Sequence, residues 1–151
     1  MRARAAPTRL AAMLVGAALV ACTGGPGAQL AGEPGLFAEV MLHADRDQLF
    51  RVLVNLGQNA VQALADGGGL ISIGAWQAGD ETVIELADTG KGIAEAARSH
   101  LFEAFSGSTR PGGTGLGLPI AREIMRAHGG DIELAHSGED GTAFRLGLPP
   151  R

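Results

Sequence analysis

One cysteine, Cys22, serves a chain of 151 residues, which excludes an internal disulfide and any cluster of cysteine metal ligands. No stretch approaches the roughly 18–20 consecutive apolar residues that a membrane-spanning helix needs. Lysine and arginine never gather into a long basic run, and the net charge is −4. Composition therefore supplies no electrostatic reason for a nucleic-acid partner. What is abundant is glycine: 24 residues, about twice the usual share, with several clustered between Gly107 and Gly117. Such clustering marks a backbone that bends sharply or comes very close to something. A hydrophobic fraction of 46% is ordinary for a protein that buries a real core. The length fits one compact domain plus a short extension.

The extension is residues 1–35. Arg2, Arg4 and Arg9 precede an apolar run from Leu10 to Ala21, followed by Cys22. That order is the order of a secretory leader, with a positive start, a short apolar centre and small residues at its end. Leu19 to Cys22 also resembles a bacterial lipobox, in which the cysteine is lipidated and the chain anchored to a membrane. The competing reading is an Ala/Leu-rich helical remnant, since these residues favour helix in any context. Thr23 to Gly35, with five glycines and two prolines, reads as a flexible linker. The folded domain is then residues 36–151.

Within it, Phe37 to Leu42 reads as an edge strand. Asp45 and Gln48 have the spacing of a capping box, and Leu49, Val52, Leu53, Leu56, Ala60 and Leu64 then recur at helical steps. This helix stops at Asp66 to Gly69, a strong breaker. Leu70 to Trp76 and Glu81 to Ala87 alternate as strands of a hairpin turning at Gln77 to Asp80. Ala94 to Phe105 reads as a short helix, and Pro119 to His128 as another, ended by Gly129 and Gly130. Asp131 to His136 and Thr142 to Leu148 form a last hairpin about Gly138 to Gly141. The predicted fold class is α+β: a two-layer sandwich with a mixed, mainly antiparallel sheet and helices on one face.

Four constellations carry candidate chemistry. Asn55 and Asn59, four residues apart, share one helix face, either as a solvated polar stripe or because an amide oxygen of Asn59 binds magnesium. That ion takes hard oxygen ligands and joins few protein groups to substrate phosphates. Asp88-Thr89-Gly90-Lys91-Gly92-Ile93 stands where a strand ends. Its carboxylate can accept from an exocyclic amine such as that of adenine, and its glycines let the backbone approach a flat ring; a simple turn is the alternative. Phe102 and Phe105 have the spacing of inward-packed helix residues and can anchor the loop that follows. Last, Gly113-Thr114-Gly115-Leu116-Gly117-Leu118 runs into a helix, where bare N–H groups and the helix dipole suit phosphate. Arg110, preceding it, can reach a terminal phosphate. A Walker P-loop and the dinucleotide Gly-x-Gly-x-x-Gly pattern are both missing.

In this order and spacing, residues 45–149 resemble the ATP-binding domain shared by sensor histidine kinases, gyrase, heat-shock ninety chaperones and MutL-type ATPases. The likeness is greatest to sensor histidine kinases of the nitrogen-sensor type. Arg51 to Leu64 resembles the N box of that family, Asp88 to Ile93 the G1 box, Phe102 to Phe105 the F box and Gly113 to Leu118 the G2 box. Ala127 to Ile132 and Gly141 to Pro149 extend the likeness. It implies a Bergerat sandwich that binds ATP with Mg2+ under a lid, Phe105 to Gly113. Asn59 would hold the metal and Asn55 the phosphate side, with Asn55, Asn59 and Arg110 as the catalytic set. Asp88, Gly90, Gly92 and Ile93 would form the adenine pocket, edged by Phe105. Gly113, Thr114, Gly115, Leu116, Gly117 and Leu118 would wrap the phosphates.

The resemblance also implies partners: a phosphoacceptor and dimerisation module bearing a histidine, and a response regulator. No helical hairpin with such a histidine precedes the N box here. His43, His100, His128 and His136 read as surface or cap residues, so the phosphoacceptor is expected in another chain or a missing segment. An ATP-using domain needs cytoplasmic ATP, which favours the remnant reading of residues 1–35 over export. Alternatives of the same fold are a non-catalytic ATP-sensing domain and an anti-sigma-type serine kinase.

Overall fold

The computed structural model describes residues 8–10, 40–42, 44–64, 68–105 and 115–150. The elements are β1 (Thr8–Leu10), β2 (Val40–Leu42), α1 (Arg46–Ala63), β3 (Ile71–Ala78) and β4 (Glu81–Asp88). There follow α2 (Glu95–Arg98), α3 (Gly117–Ala127), β5 (Asp131–Gly138) and β6 (Gly141–Leu148). Four strands form one sheet in the order β3-β4-β6-β5, with every pairing antiparallel. The expected α+β sandwich is present, and its main sheet is antiparallel throughout rather than mixed. β1 and β2 make a separate two-stranded sheet, so the segment read as a leader contributes a strand.

The amphipathic pattern of α1 is realised: Leu49, Val52, Leu56 and Ala60 are buried along one face. They meet Ile84 and Leu86 of β4, Ile132 of β5 and Phe144, Leu146 and Leu148 of β6 in one core, closed by Ala121 and Met125 of α3. Leu56, Val52, Ile84 and Leu146 have no exposed surface. Truncating Leu56 to alanine would cost about 2–5 kcal/mol through lost transfer energy and the cavity left behind. Both helices therefore cover one face of the sheet. The other face carries Trp76, Glu85 and Arg145, which meet in a 2.7 Å Arg145–Glu85 ion pair and a stack of Arg145 on Trp76 at 5.9 Å.

Helix ends differ from the sequence expectation in instructive ways. Asp45 caps α1, its Oδ1 accepting from Asp47 and Gln48 N–H at 3.0 Å. The reciprocal half of the box is not made by Gln48. Asp45 N–H instead donates to His128 Nε2 at 3.1 Å, while His128 Nδ1 bonds the Ile124 carbonyl at 2.7 Å. A carbonyl only accepts and an amide N–H only donates, so Nδ1 is the donor here and Nε2 the acceptor. This ties the C-terminus of α3 to the N-terminus of α1 and makes the two helices antiparallel neighbours. α3 begins two residues early, at Gly117, because Pro119 needs no N–H in a first turn.

The helix expected over Ala94 to Phe105 shrinks to the four residues of α2. Ala94 offers no side-chain cap, and from Ser99 onward the chain turns so that Leu101 and Phe102 pack against the core. Phe105 breaks the pattern altogether: its φ is +64° and it is 76% exposed, so only one of the two phenylalanines packs inward. Among the described residues no helix is long and apolar enough to cross a membrane. Cys22, the apolar run beyond Leu10 and the linker lie outside the described residues.

Candidate functional site

α1 carries both asparagines on its half-buried flank. A Cβ placed on Gly117 would lie 3.9 Å from Asn55 Cβ, Cγ and Oδ1, so the Asn55 amide faces the first turn of α3. One turn further along α1, Asn59 Nδ2 is buried with no hydrogen-bond partner among the described residues. A buried amide left half unpaired costs about 1–3 kcal/mol and marks a group held for something else. The first turn of α3 is likewise unfilled. Leu116 gives no side-chain cap and no acidic residue stands in that turn, in contrast to the Asp-capped α1. The bare N–H groups and partial positive charge of a helix start suit an anion.

At the far end of α1, β4 delivers Asp88. The residue is 8% exposed, and its Oδ1 accepts from Gly90 N–H at 2.8 Å. Thr142 N–H is a second backbone donor. Burial pushes its pKa above the ordinary carboxylate value of 3.8, and the two N–H bonds only partly offset this. The loop after it is shaped by close approach. A Cβ on Gly90 would sit 2.7 Å from Ala63 Cβ and 2.9 Å from the Ala63 carbonyl, so only glycine lets this loop pass beneath α1. Gly92, at φ +72°, would strike the Gly138 carbonyl.

That second contact shows what sequence reasoning missed. The β5–β6 turn, read only as a hairpin, is the outer wall of the Asp88 loop. A register shift between Leu134 and His136 puts His136 on the far face and Ser137 on the helix face, opposite Thr142. From there Ser137 Oγ accepts from Ile93 N–H at 2.8 Å. Thr89 Oγ1 accepts from Leu70 N–H at 2.9 Å, bolting the loop to the start of β3. The only sequence signal was the pair Gly138 and Gly141 around the turn.

Asn55 thus meets Gly117 on one flank of α1, and Gly90 passes Ala63 further along the same helix, while Gly92 and Ile93 pack on the β5–β6 turn. Eight residues separate Asn55 from Ala63, about 12 Å of helix. Gly115, at φ +65°, accepts from Phe105 N–H at 3.3 Å, so Phe105 also borders the site. Arg110, Gly113 and Thr114 lie outside the described residues, as does the expected lid beyond Phe105. Of the histidines, His128 is the cap described above, while His100 and His136 bond Glu103 and Asp140 at 2.8 Å. No cluster of three His, Cys, Asp or Glu side chains fit for a metal occurs among the described residues.

Residues 44–151 match the model of the histidine kinase-, DNA gyrase B- and HSP90-like ATPase family. The chain belongs to that family. Its relatives are sensor kinases: sensor histidine kinase ZraS of Escherichia coli (strain K12) is 40% identical over 108 residues, 72% of this chain and 23% of ZraS. Circadian input-output histidine kinase CikA of Synechococcus elongatus is 32% identical over 114 residues, 72% of this chain and 15% of CikA. The chain thus spans about a quarter or less of the length of these relatives. Among solved structures, the catalytic domain of histidine kinase ThkA matches at TM-score 0.62 and 34% identity, covering 72% of this chain and 70% of that one. Mycobacterial sensor histidine kinase MprB matches at 0.63 and 30%, covering 75% and 79%. The domain is of the sensor-histidine-kinase ATP-binding type, and its sandwich is that of their catalytic domains.

Proposed function

We propose that this histidine-kinase-type ATPase domain binds Mg-ATP along α1 and passes the γ-phosphoryl group to a histidine on a separate phosphoacceptor and dimerisation module. The observation that carries the reading is the placement of Asp88 and an uncapped helix start at opposite ends of one helix flank. A buried carboxylate at one end is an acceptor for the adenine amine. At the other end, the Gly117 and Leu118 N–H groups and the Asn55 amide present donors to phosphates. Gly113, Thr114 and Arg110 belong by sequence to the same phosphate side.

The residues fit magnesium. Asn59 Nδ2 is buried without a partner among the described residues, and turning the amide puts a hard oxygen in its place. With no carboxylate cluster among the described residues, the ion would keep waters and phosphate oxygens as its other ligands. Bound there, it would neutralise charge on the β- and γ-phosphates. The chain's own groups do the rest: Asp88 orients the base, the α3 amides hold the phosphate oxygens, and Asn55 fixes their approach to the helix. The bond from the γ-phosphorus to its bridging oxygen breaks, ADP leaves, and a new P–N bond forms on the acceptor imidazole. Such transfer needs positioning and charge stabilisation more than reactive side chains. A response regulator would take the group from that histidine.

Calorimetry on the full chain tests binding. Mg-ADP and Mg-ATP should bind the parent, weaken in Asn59→Ala and fail in Asp88→Ala. Transfer of label from γ-labelled ATP to a purified phosphoacceptor module of a sensor kinase tests chemistry. Binding without labelling of any such module would leave a nucleotide-sensing domain and refute the kinase reading.

A further inference from the structure

A group outside the nucleotide flank is built with more precision than packing alone asks. Arg122, on the outward side of α3, reaches the start of β5 and grips Asp131 with two bonds, Nε to Oδ1 at 2.7 Å and Nη2 to Oδ2 at 3.0 Å. Asp131 is held to a pKa of about 2, first by that bond, and Arg126 adds a third nitrogen 3.6 Å from Oδ2. A two-bond fork fixes the plane of a guanidinium as well as its place. On that plane lies the Phe102 ring, 4.5 Å from Arg122 Cζ to the centroid. The ring also stands edge-on to buried Phe144 of β6, at 6.4 Å and 80°. Phe102 is therefore fixed by a face contact and an edge contact, each with a preferred geometry.

What Phe102 holds is a stretch with little regular structure of its own. α2 ends at Arg98, and Leu101 to Phe105 is a series of turns. The stretch ends at Phe105 in the left-handed region, which a residue with a side chain adopts at a cost of about 1–3 kcal/mol. The conformation points Phe105 N–H at the carbonyl of Gly115. Gly115 leads through Leu116 directly into the uncapped first turn of α3.

We propose that Arg122 is a positioning residue for the nucleotide site: locked by Asp131 and stacked on Phe102, it sets the Leu101–Phe105 turns and, through the Phe105–Gly115 hydrogen bond, the entrance to α3 where phosphate binds. The proposal rests on the nucleotide-binding reading above. Arg122 touches no nucleotide; it acts through Phe102. The coupling is between the phosphate end of the site and an ion pair on the edge strand β5, and it leaves the adenine end, held by β4 and the β5–β6 turn, independent.

The test is a double-mutant cycle on the full chain, with Mg-ATP, Mg-ADP and adenosine affinities read by calorimetry well below each variant's melting temperature. Arg122→Lys keeps the charge but loses the planar fork; Phe102→Leu keeps apolar bulk but loses the ring. Each should weaken Mg-ATP roughly three- to tenfold, the range of a partly buried cation–π contact, while adenosine affinity stays at the parent value. Their combination should be no weaker than the worse single variant, and Phe102→Tyr, which keeps the ring, should bind as the parent does. Losses that add in the double variant, equal losses for adenosine, or unchanged Mg-ATP affinity with only a lowered melting temperature would each overturn the proposal. Should Phe102→Leu fail to fold, Arg122→Lys and Phe102→Tyr decide by the same comparison. A folded parent that binds no nucleotide refutes the function itself, a result distinguishable from all of these.

Discussion

Asp88→Asn changes one atom at the end of β4 and separates charge from shape. In the parent, the carboxylate takes N–H bonds from Gly90 and Thr142 and keeps lone pairs for an incoming amine. The asparagine has one carbonyl oxygen for those two backbone donors, so its NH2 is turned toward the base. There it meets the adenine amine, donor against donor. Loss of a hydrogen bond to a charged acceptor is worth about 1.5–3 kcal/mol, or roughly 10- to 150-fold in Kd. Stability should move far less. Removing a charge that burial disfavours helps the fold, and overloading one oxygen with two donors hurts it. Calorimetry with Mg-ADP and with Mg-inosine diphosphate gives the sharpest reading. Inosine carries a carbonyl where adenosine has its amine, so the parent should reject it and Asp88→Asn should bind it better than Mg-ADP. Acidification offers a second arm. Burial raises the Asp88 pKa, so its neutral form is favoured on folding; the stabilisation is full below 3.8 and is lost as pH rises through the raised value. An amine donor favours the ionised form, so ADP affinity should fall as pH drops toward that value in the parent and stay flat in Asp88→Asn. ADP binding to Asp88→Asn within threefold of the parent, with no change of base preference, would refute the argument.

Three further outcomes follow from the geometry. Asp131 is lowered from 3.8 to about 2, so the Arg122–Asp131 pair stabilises the fold above 3.8 and stops doing so as pH falls toward about 2. The melting-temperature gap between parent and Asp131→Asn should close over that window. Gly92→Ala places a Cβ against the Gly138 carbonyl at a φ of +72° and should cost about 1–3 kcal/mol in urea unfolding. His128→Ala removes the acceptor of Asp45 N–H and should cost about 1 kcal/mol, read as a lower urea midpoint.

Much of this was legible because periodicity survives folding. The apolar steps from Leu49 to Leu64 predicted α1, and the alternation around Gly79 and around Gly138 to Gly141 predicted both hairpins of the main sheet. Asn55, Asn59, Asp88 and the glycines of the Asp88 loop stood out because each is a poor choice for a plain helix or strand. What stayed hidden depends on residues distant in the chain. His128 completing the cap of α1 from 83 residues away leaves no local trace. Neither does the meeting of Phe102, Arg122 and Asp131, nor the bulge that swings Ser137 toward Ile93. The short α2 failed for a related reason: local helix preference over Ala94 to Phe105 lost to the burial of Leu101 and Phe102.

Strand order has a consequence for how the domain comes into being. β6, the last strand of the sheet to be synthesised, sits between β4 and β5, and the backbone at Gly141 and Thr142 is what closes over Asp88. Every box that resembles a nucleotide site is already made when Leu118 leaves the ribosome, yet Asp88 lacks the wall that β6 supplies until some two dozen residues later. The domain should therefore acquire nucleotide affinity in one step, once β6 has been made. A premature stop between Leu118 and Gly141 should leave a chain that carries all four signatures and recognises no nucleotide.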